Sequence, residues 1–127
     1  MSLPLALIVD DEPMLAEIFS VALKMAGFAT ETIHDGQAAM DRLDEIRPTL
    51  ILLDLHLPSV PGPDILRRIR ADDRLAQTRV LIVSADGPKA ESLRDEADAI
   101  LSKPLGVAEL RDTAARYLPA EGDTISR

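Results

Sequence analysis

Leu5-Ala6-Leu7-Ile8-Val9-Asp10-Asp11-Glu12-Pro13 is the stretch from which the fold can be read. Five apolar residues end abruptly in three acids, and the proline behind them suits the first turn of a helix. Met14, Leu15, Ile18, Phe19, Ala22 and Leu23 then recur at helical spacing until Gly27, a natural terminator. A short apolar run that passes straight into an amphipathic helix is the first half of a strand-helix-strand unit, and such units build parallel sheets covered on both faces.

The pattern repeats along the chain. Phe28 to Ile33 alternates only partly, as a strand near the sheet edge does, and turns at His34-Asp35-Gly36 into a helix over Gln37 to Ile46. Arg47-Pro48 breaks that helix, because the residue before proline disfavours the α region, and Thr49 to Leu53 follows as a central strand ending at Asp54. Leu57-Pro58-Ser59-Val60-Pro61-Gly62-Pro63 is a stiff connector into a helix built on Ile65, Leu66 and Ile69, which fades near Asp72-Asp73. Val80 to Val83 is a fourth strand ending at Ser84, and Gly87-Pro88 starts a short helix to about Ala97. Ala99 to Ser102 is a fifth strand running into Lys103-Pro104. Gly106 then caps a last helix through Leu118, with Glu109 placed to reach back as half of a capping box. Residues 1–4 read as an extension or cloning scar, 5–118 as the domain and 119–127 as a polar tail or linker stump.

The composition supports one aliphatic domain. The chain has 127 residues, 46% of them hydrophobic but only 2% aromatic, so it lacks the stacking platforms of single-strand nucleic-acid binders. Its 14 basic against 22 acidic residues give a net charge of -8, which repels nucleic-acid backbones and anionic membranes, and we expect neither as a direct partner. No cysteine is present, which excludes a thiol nucleophile or zinc knuckle and suits a reducing compartment. Leu3 to Val9 is too short to span a bilayer and lacks the flanks of a signal peptide, so the expected location is the cytoplasm.

Asp10, Asp54, Ser84 and Lys103 each follow an apolar strand, at the sheet edge where open α/β proteins bind ligands. Three clustered carboxylates (Asp10, Asp11, Asp54) about 5 Å apart repel by roughly 3 kcal/mol per pair at an effective dielectric near 20. A hard divalent cation relieves this, and Mg²⁺ suits the task because it takes few carboxylates and keeps positions for a phosphate. With Lys103 added the formal charges cancel, so a phosphoryl group can approach. Taken singly, each feature has a plainer reading. The acids stabilise a helix N-terminus, Ser84 is a buried hydroxyl bonded to backbone, Lys103 is a solvated turn residue, His56 is an exposed loop residue and His34 a turn residue. Their joint placement at strand ends favours the site.

Val9-Asp10-Asp11-Glu12-Pro13, Leu53-Asp54-Leu55-His56-Leu57-Pro58 with Gly62, Val83-Ser84-Ala85 and Ser102-Lys103-Pro104 together resemble the receiver domain of two-component response regulators, over about residues 5–118. The resemblance implies a flavodoxin-like, doubly wound five-stranded parallel sheet with five helices. It implies that Asp54 is the phosphoacceptor, attacking a phosphohistidine on a sensor histidine kinase or histidine phosphotransfer protein. Asp11 is then a direct Mg²⁺ ligand, Asp10 one acting mainly through water, and the backbone carbonyl of His56 a further ligand. Lys103 neutralises the transferring group, Ser84 swings to a phosphoryl oxygen, and Ala85 leaves room for it. The output is protein contact, including a phosphorylation-dependent dimer; beyond slow self-catalysed phosphorylation and dephosphorylation no enzyme activity on a metabolite is implied.

Three positions depart from the family pattern: Ile100 stands where a switching aromatic is usual, Leu105 where Phe is common, and the stretch from Ser84 to Lys103 is short by about one helical turn. We therefore expect Ile100 to pack statically and the signal to leave by another surface, such as the proline-rich loop after Asp54. Of the rival readings, a haloacid-dehalogenase-type phosphatase needs an acid two residues after its nucleophile, where His56 stands. A flavodoxin-like cofactor binder needs a phosphate loop after the first strand, where acids stand. A pseudo-receiver acting as a constitutive protein-binding module is the remaining alternative, and the complete acid, hydroxyl and lysine set argues against it.

Overall fold

The computed structural model describes residues 3–119; the expected tail from Ala120 to Arg127 and the first two residues of the extension lie outside them. Five strands, β1 (Leu5–Val9), β2 (Ala29–Ile33), β3 (Leu50–Asp54), β4 (Arg79–Ser84) and β5 (Ala99–Ser102), alternate with five helices, α1 (Pro13–Ala26), α2 (Gly36–Leu43), α3 (Gly62–Ala71), α4 (Gly87–Glu91) and α5 (Val107–Ala115). All pairings are parallel, in the order β2-β1-β3-β4-β5. This is the doubly wound flavodoxin-like sheet, with its switch point between β1 and β3.

The two-residue period of the strands divides the aliphatic core into two layers. Leu7, Val9, Ile51, Leu53, Val80 and Ile82 face α2 and α3, packing on Leu43, Ile65, Leu66 and Ile69. Ala6, Ile8, Leu50, Leu52, Leu81 and Val83 face α1 and α5, packing on Phe19, Leu23, Leu110 and Ala114. The central strands bury both faces and so read as unbroken apolar runs. β2 lies at the edge, where its residues are half-buried except exposed Thr32.

Helix ends account for most differences from the sequence reading. Gly27 adopts φ 116°, a left-handed value, and closes α1 as expected. α2 stops at Leu43 rather than Ile46, because the Arg74 guanidinium takes the Leu43 carbonyl with two N–H groups at 3.1 Å and the Ile46 carbonyl at 3.1 Å. α4 is a single capped helix up to Glu91, followed by a 3-10 turn over Arg94–Glu96, rather than one helix to Ala97. α5 ends at Ala115 and tightens into three-residue turns through Leu118. Its start carries no side-chain cap, so Glu109 does not close a capping box; Gly106 has no side chain to supply the reciprocal half.

Among the described residues no helix is long and apolar enough to cross a membrane.

Candidate functional site

Asp10 follows β1 and Asp54 ends β3, so adjacent parallel strands set their carboxylates side by side at the carboxyl edge. Asp11 lies on the exposed rim beside Asp10. One oxygen from each of Asp10, Asp11 and Asp54 lies within 4.8 Å of the others. Octahedral Mg²⁺ places neighbouring ligand oxygens about 3.0 Å and opposite ones about 4.2 Å apart, so small side-chain adjustments fit this donor set to it. The oxygen-only, acid-rich chemistry suits the same ion.

Burial makes the cluster costly. Asp10 is 2% and Asp54 5% exposed. Desolvation pushes the Asp54 carboxyl above its ordinary value, aided by the charges of Asp10 and Asp11, against the lowering effect of the His56 N–H and of Lys103. Lys103, 18% exposed, reaches in after β5 with Nζ 3.2 Å from Asp10 Oδ2 and 3.6 Å from Asp54 Oδ2. Burial alone would lower its pKa, but Asp10 and Asp54 outweigh that and raise it, so the ammonium is held charged. The reading of Lys103 as a solvated turn residue therefore fails. The Lys103–Pro104 peptide is cis.

Backbone donors fix the acids. Asp54 Oδ1 accepts the His56 N–H at 3.3 Å and Asp10 Oδ1 accepts the Glu12 N–H at 2.9 Å. His56 is exposed as expected; its imidazole Nε2 stands 3.7 Å from Asp86 Oδ2. Ser84 is buried at the end of β4, the strand next to β3, and its Oγ accepts the Asp86 N–H at 2.9 Å. That is the backbone-bonded hydroxyl of the plainer reading, and it leaves the hydroxyl proton available. Ala85 is exposed beside it. Ile100 is placed elsewhere: it pairs with Ile82 in the ladder and lies half-buried against the α2–α3 layer.

Sequence reasoning missed the supports. His34, taken for a turn residue, sets Nδ1 2.9 Å from the Asp10 carbonyl oxygen. Asp35 caps α2 by accepting the Ala38 N–H at 2.9 Å, and Ser59 Oγ donates to its other oxygen at 2.6 Å. The Ser59 bond first, then the Ala38 amide, lowers the Asp35 pKa. Gly36 donates to the Pro58 carbonyl at 3.1 Å and lies so close to the loop that a Cβ would sit 2.0 Å from the Val60 oxygen. The proline loop after Asp54 is thus clasped to the turn before α2. His34-Asp35-Gly36 signals a turn in sequence but not what the turn holds.

The chain is similar to known proteins in sequence and in fold. The family model for the response regulator receiver domain matches residues 6–115. The DNA-binding dual master transcriptional regulator RpaA of Synechocystis is 36% identical over 111 residues, covering 85% of this chain and 46% of that protein. The transcriptional regulatory protein TrcR of Mycobacterium tuberculosis is 37% identical over 106 residues, covering 82% and 41%. The chain thus spans less than half the length of these relatives. Among solved structures, the chemotaxis response regulator CheY4 of Vibrio cholerae superposes with a TM-score of 0.83 at 25% identity, covering 92% of this chain and 100% of that one. A CheY-like receiver domain from Methylobacillus flagellatus gives 0.82 at 26%, covering 91% and 99%. With its sheet order, its acid-lined strand edge and a family match over nearly all described residues, the chain belongs to the response regulator receiver domains.

Proposed function

We propose that Asp54 accepts a phosphoryl group from a phosphohistidine on a sensor histidine kinase or histidine phosphotransfer protein, and that phosphorylation changes the contacts this domain makes with other proteins. The observation that carries the reading is a buried carboxylate held beside two others, with a half-buried ammonium 3.6 Å away. Asp54 supplies the attacking oxygen, and the O–P bond forms as the N–P bond of the donor imidazole breaks. The His56 N–H fixes the plane of the carboxylate, and Lys103, 3.6 Å from it, would balance charge on the phosphoryl oxygens.

Asp10, Asp11, Asp54 and the His56 carbonyl would hold Mg²⁺, which neutralises charge on the transferring group. Ser84 would exchange its local contact for a hydrogen bond to a phosphoryl oxygen, with Ala85 leaving the space. The downstream target is a protein rather than nucleic acid, because a domain of net charge -8 repels a phosphate backbone.

The docking face for the donor is the exposed side of α1. Met14, Ile18, Val21 and Met25 are 82%, 43%, 48% and 56% exposed, and their spacing of four, three and four residues lines them up in one apolar seam. The seam starts three residues after Asp11, at the rim of the acid cluster. A helix laid along it would reach the phosphoacceptor.

Acetyl phosphate with Mg²⁺ tests the chemistry without a kinase. The wild-type chain should gain the mass of one phosphoryl group, and Asp54→Asn should gain none. No gain in the wild type refutes the proposal and leaves a protein-binding module.

A further inference from the structure

The edge of the sheet opposite the acid cluster carries the reverse charge. Where β3 and β4 begin, a recess of about 820 Å³ is lined by Arg47, Arg74, Arg79 and Arg116, with no Asp or Glu in its lining among the described residues. Four of the chain's 14 basic residues therefore border one hollow of a protein with net charge -8. We propose that this recess is a binding site for a small phosphorylated ligand of the nucleotide class.

The four guanidiniums divide into two kinds. Arg74 is anchored on the Leu43 and Ile46 carbonyls and on Asp72, and Arg79 on Asp98 at 3.2 Å. These two form fixed walls. Arg47 and Arg116 are exposed, and their guanidinium groups make no hydrogen bond or ion pair with any described residue, so their planar forks are available to an anion. Guanidinium forks match phosphate oxygens two at a time. The volume lies within the range of small-molecule sites, far beyond the needs of a single inorganic anion.

The remaining walls specify a ligand with a body as well as a charge. Pro48, Leu118, Pro119 and the Tyr117 ring supply apolar surface, and Gln77 supplies an amide. Tyr117 is held in place by its hydroxyl, which donates to the Asp98 carbonyl at 3.3 Å. A purine or pyrimidine can lie against such a surface, while its phosphates reach Arg47 and Arg116. An acidic peptide would meet the arginines but would leave this concave apolar wall uncovered.

Backbone amide NMR of the nitrogen-15-labelled chain, in EDTA and at low salt, tests the site with ATP, inorganic pyrophosphate and a hexaglutamate peptide as probes. EDTA keeps metal-bridged phosphate away from Asp54. ATP should shift the amides of residues 47, 49, 77–79 and 116–118 saturably, and bind at least tenfold tighter than pyrophosphate. Arg47→Gln with Arg116→Gln, both at exposed positions, should weaken ATP at least tenfold without moving the urea midpoint or Mg²⁺ affinity. Shifts centred on Asp10 and Asp54, equal affinity for pyrophosphate, tighter binding of hexaglutamate, or a loss under threefold in the double variant would each overturn the proposal.

Discussion

Replacing Asp54, the proposed phosphoacceptor, should make the metal-free protein more stable. Asp54→Asn removes a charge whose neighbours oppose one another: Asp10, with an oxygen within 4.8 Å, repels it by about 3.5 kcal/mol at an effective dielectric near 20, while Lys103 at 3.6 Å attracts it by about 4.6 kcal/mol. These nearly cancel. What remains is the repulsion from Asp11, weakened by its exposure, and the cost of keeping an ionised group out of water at 5% exposure. An amide avoids both and can still accept the His56 N–H. The net gain should be about 1–3 kcal/mol. The raised pKa of Asp54 gives the same sign. A carboxyl whose folded pKa exceeds its unfolded one loses stability as pH rises from the unfolded value through the folded one, so at neutral pH its charge weakens the fold. The assay is urea unfolding at pH 7 in EDTA, then in excess Mg²⁺. In metal the wild type gains about 2.7 kcal/mol at a hundredfold excess over Kd, the variant far less, and the gap should close or reverse. A variant less stable than wild type in EDTA would refute the reasoning.

The other predictions concern the supports of the site. Asp98 accepts the Val80 N–H at 2.7 Å and pairs with Arg70 at 3.0 Å and Arg79 at 3.2 Å, so Asp98→Ala should cost about 2–4 kcal/mol in urea unfolding, most of it from the orphaned amide. Burial would raise the Asp98 pKa, but those partners outweigh it and lower it; its contribution is full above the unfolded pKa and fades as pH falls through the folded one, so wild type and Asp98→Asn should converge in acid. Ile18→Glu, in the exposed seam of α1, should slow phosphotransfer from the donor protein at least tenfold while leaving the acetyl phosphate rate unchanged; equal slowing of both would sink the docking face. Gly62→Ala would put a Cβ 2.5 Å from the Asp54 carbonyl oxygen and 2.6 Å from the Leu55 Cα, both backbone atoms, so it should destabilise by about 1–3 kcal/mol and lower the acetyl phosphate rate.

Strands were legible because the sheet is covered on both faces: an unbroken run such as Leu50–Leu53 has few other stable places to go, and each ends within one residue of the expected boundary. The acid cluster followed from the same logic, since parallel strands align their carboxyl ends. Helix ends were less legible because their partners are distant in sequence. Nothing near Leu43 announces that Arg74 will take its carbonyl, and nothing near Asp35 announces Ser59. Single His, Asp and Ser residues in turns look alike whether they support a site or face water. Only the folded chain shows that His34 approaches the Asp10 carbonyl.

Asp98 organises the stretch between Ser84 and Lys103. With α4 reduced to Gly87–Glu91, little helix remains to brace β5. Arg70 of α3 does so instead, giving Nε to the Glu96 carbonyl at 2.7 Å, one N–H to the Thr78 carbonyl at 3.1 Å and another to Asp98 at 3.0 Å. Tyr117 donates to the Asp98 carbonyl from the far side. The amino end of β5 is therefore fastened to α3, to β4 and to the segment after α5, and moving it would break several bonds together. Its carboxyl end is held differently. There Lys103 stands between two acids and Ser84 makes a local contact with Asp86, so either can change partner at the cost of one hydrogen bond. Rearrangement on the proposed phosphorylation would thus be easiest within the few residues that reach the acid cluster, while Ile100, between these ends, is held in the sheet by its pairing with Ile82 and its packing on the α2–α3 layer.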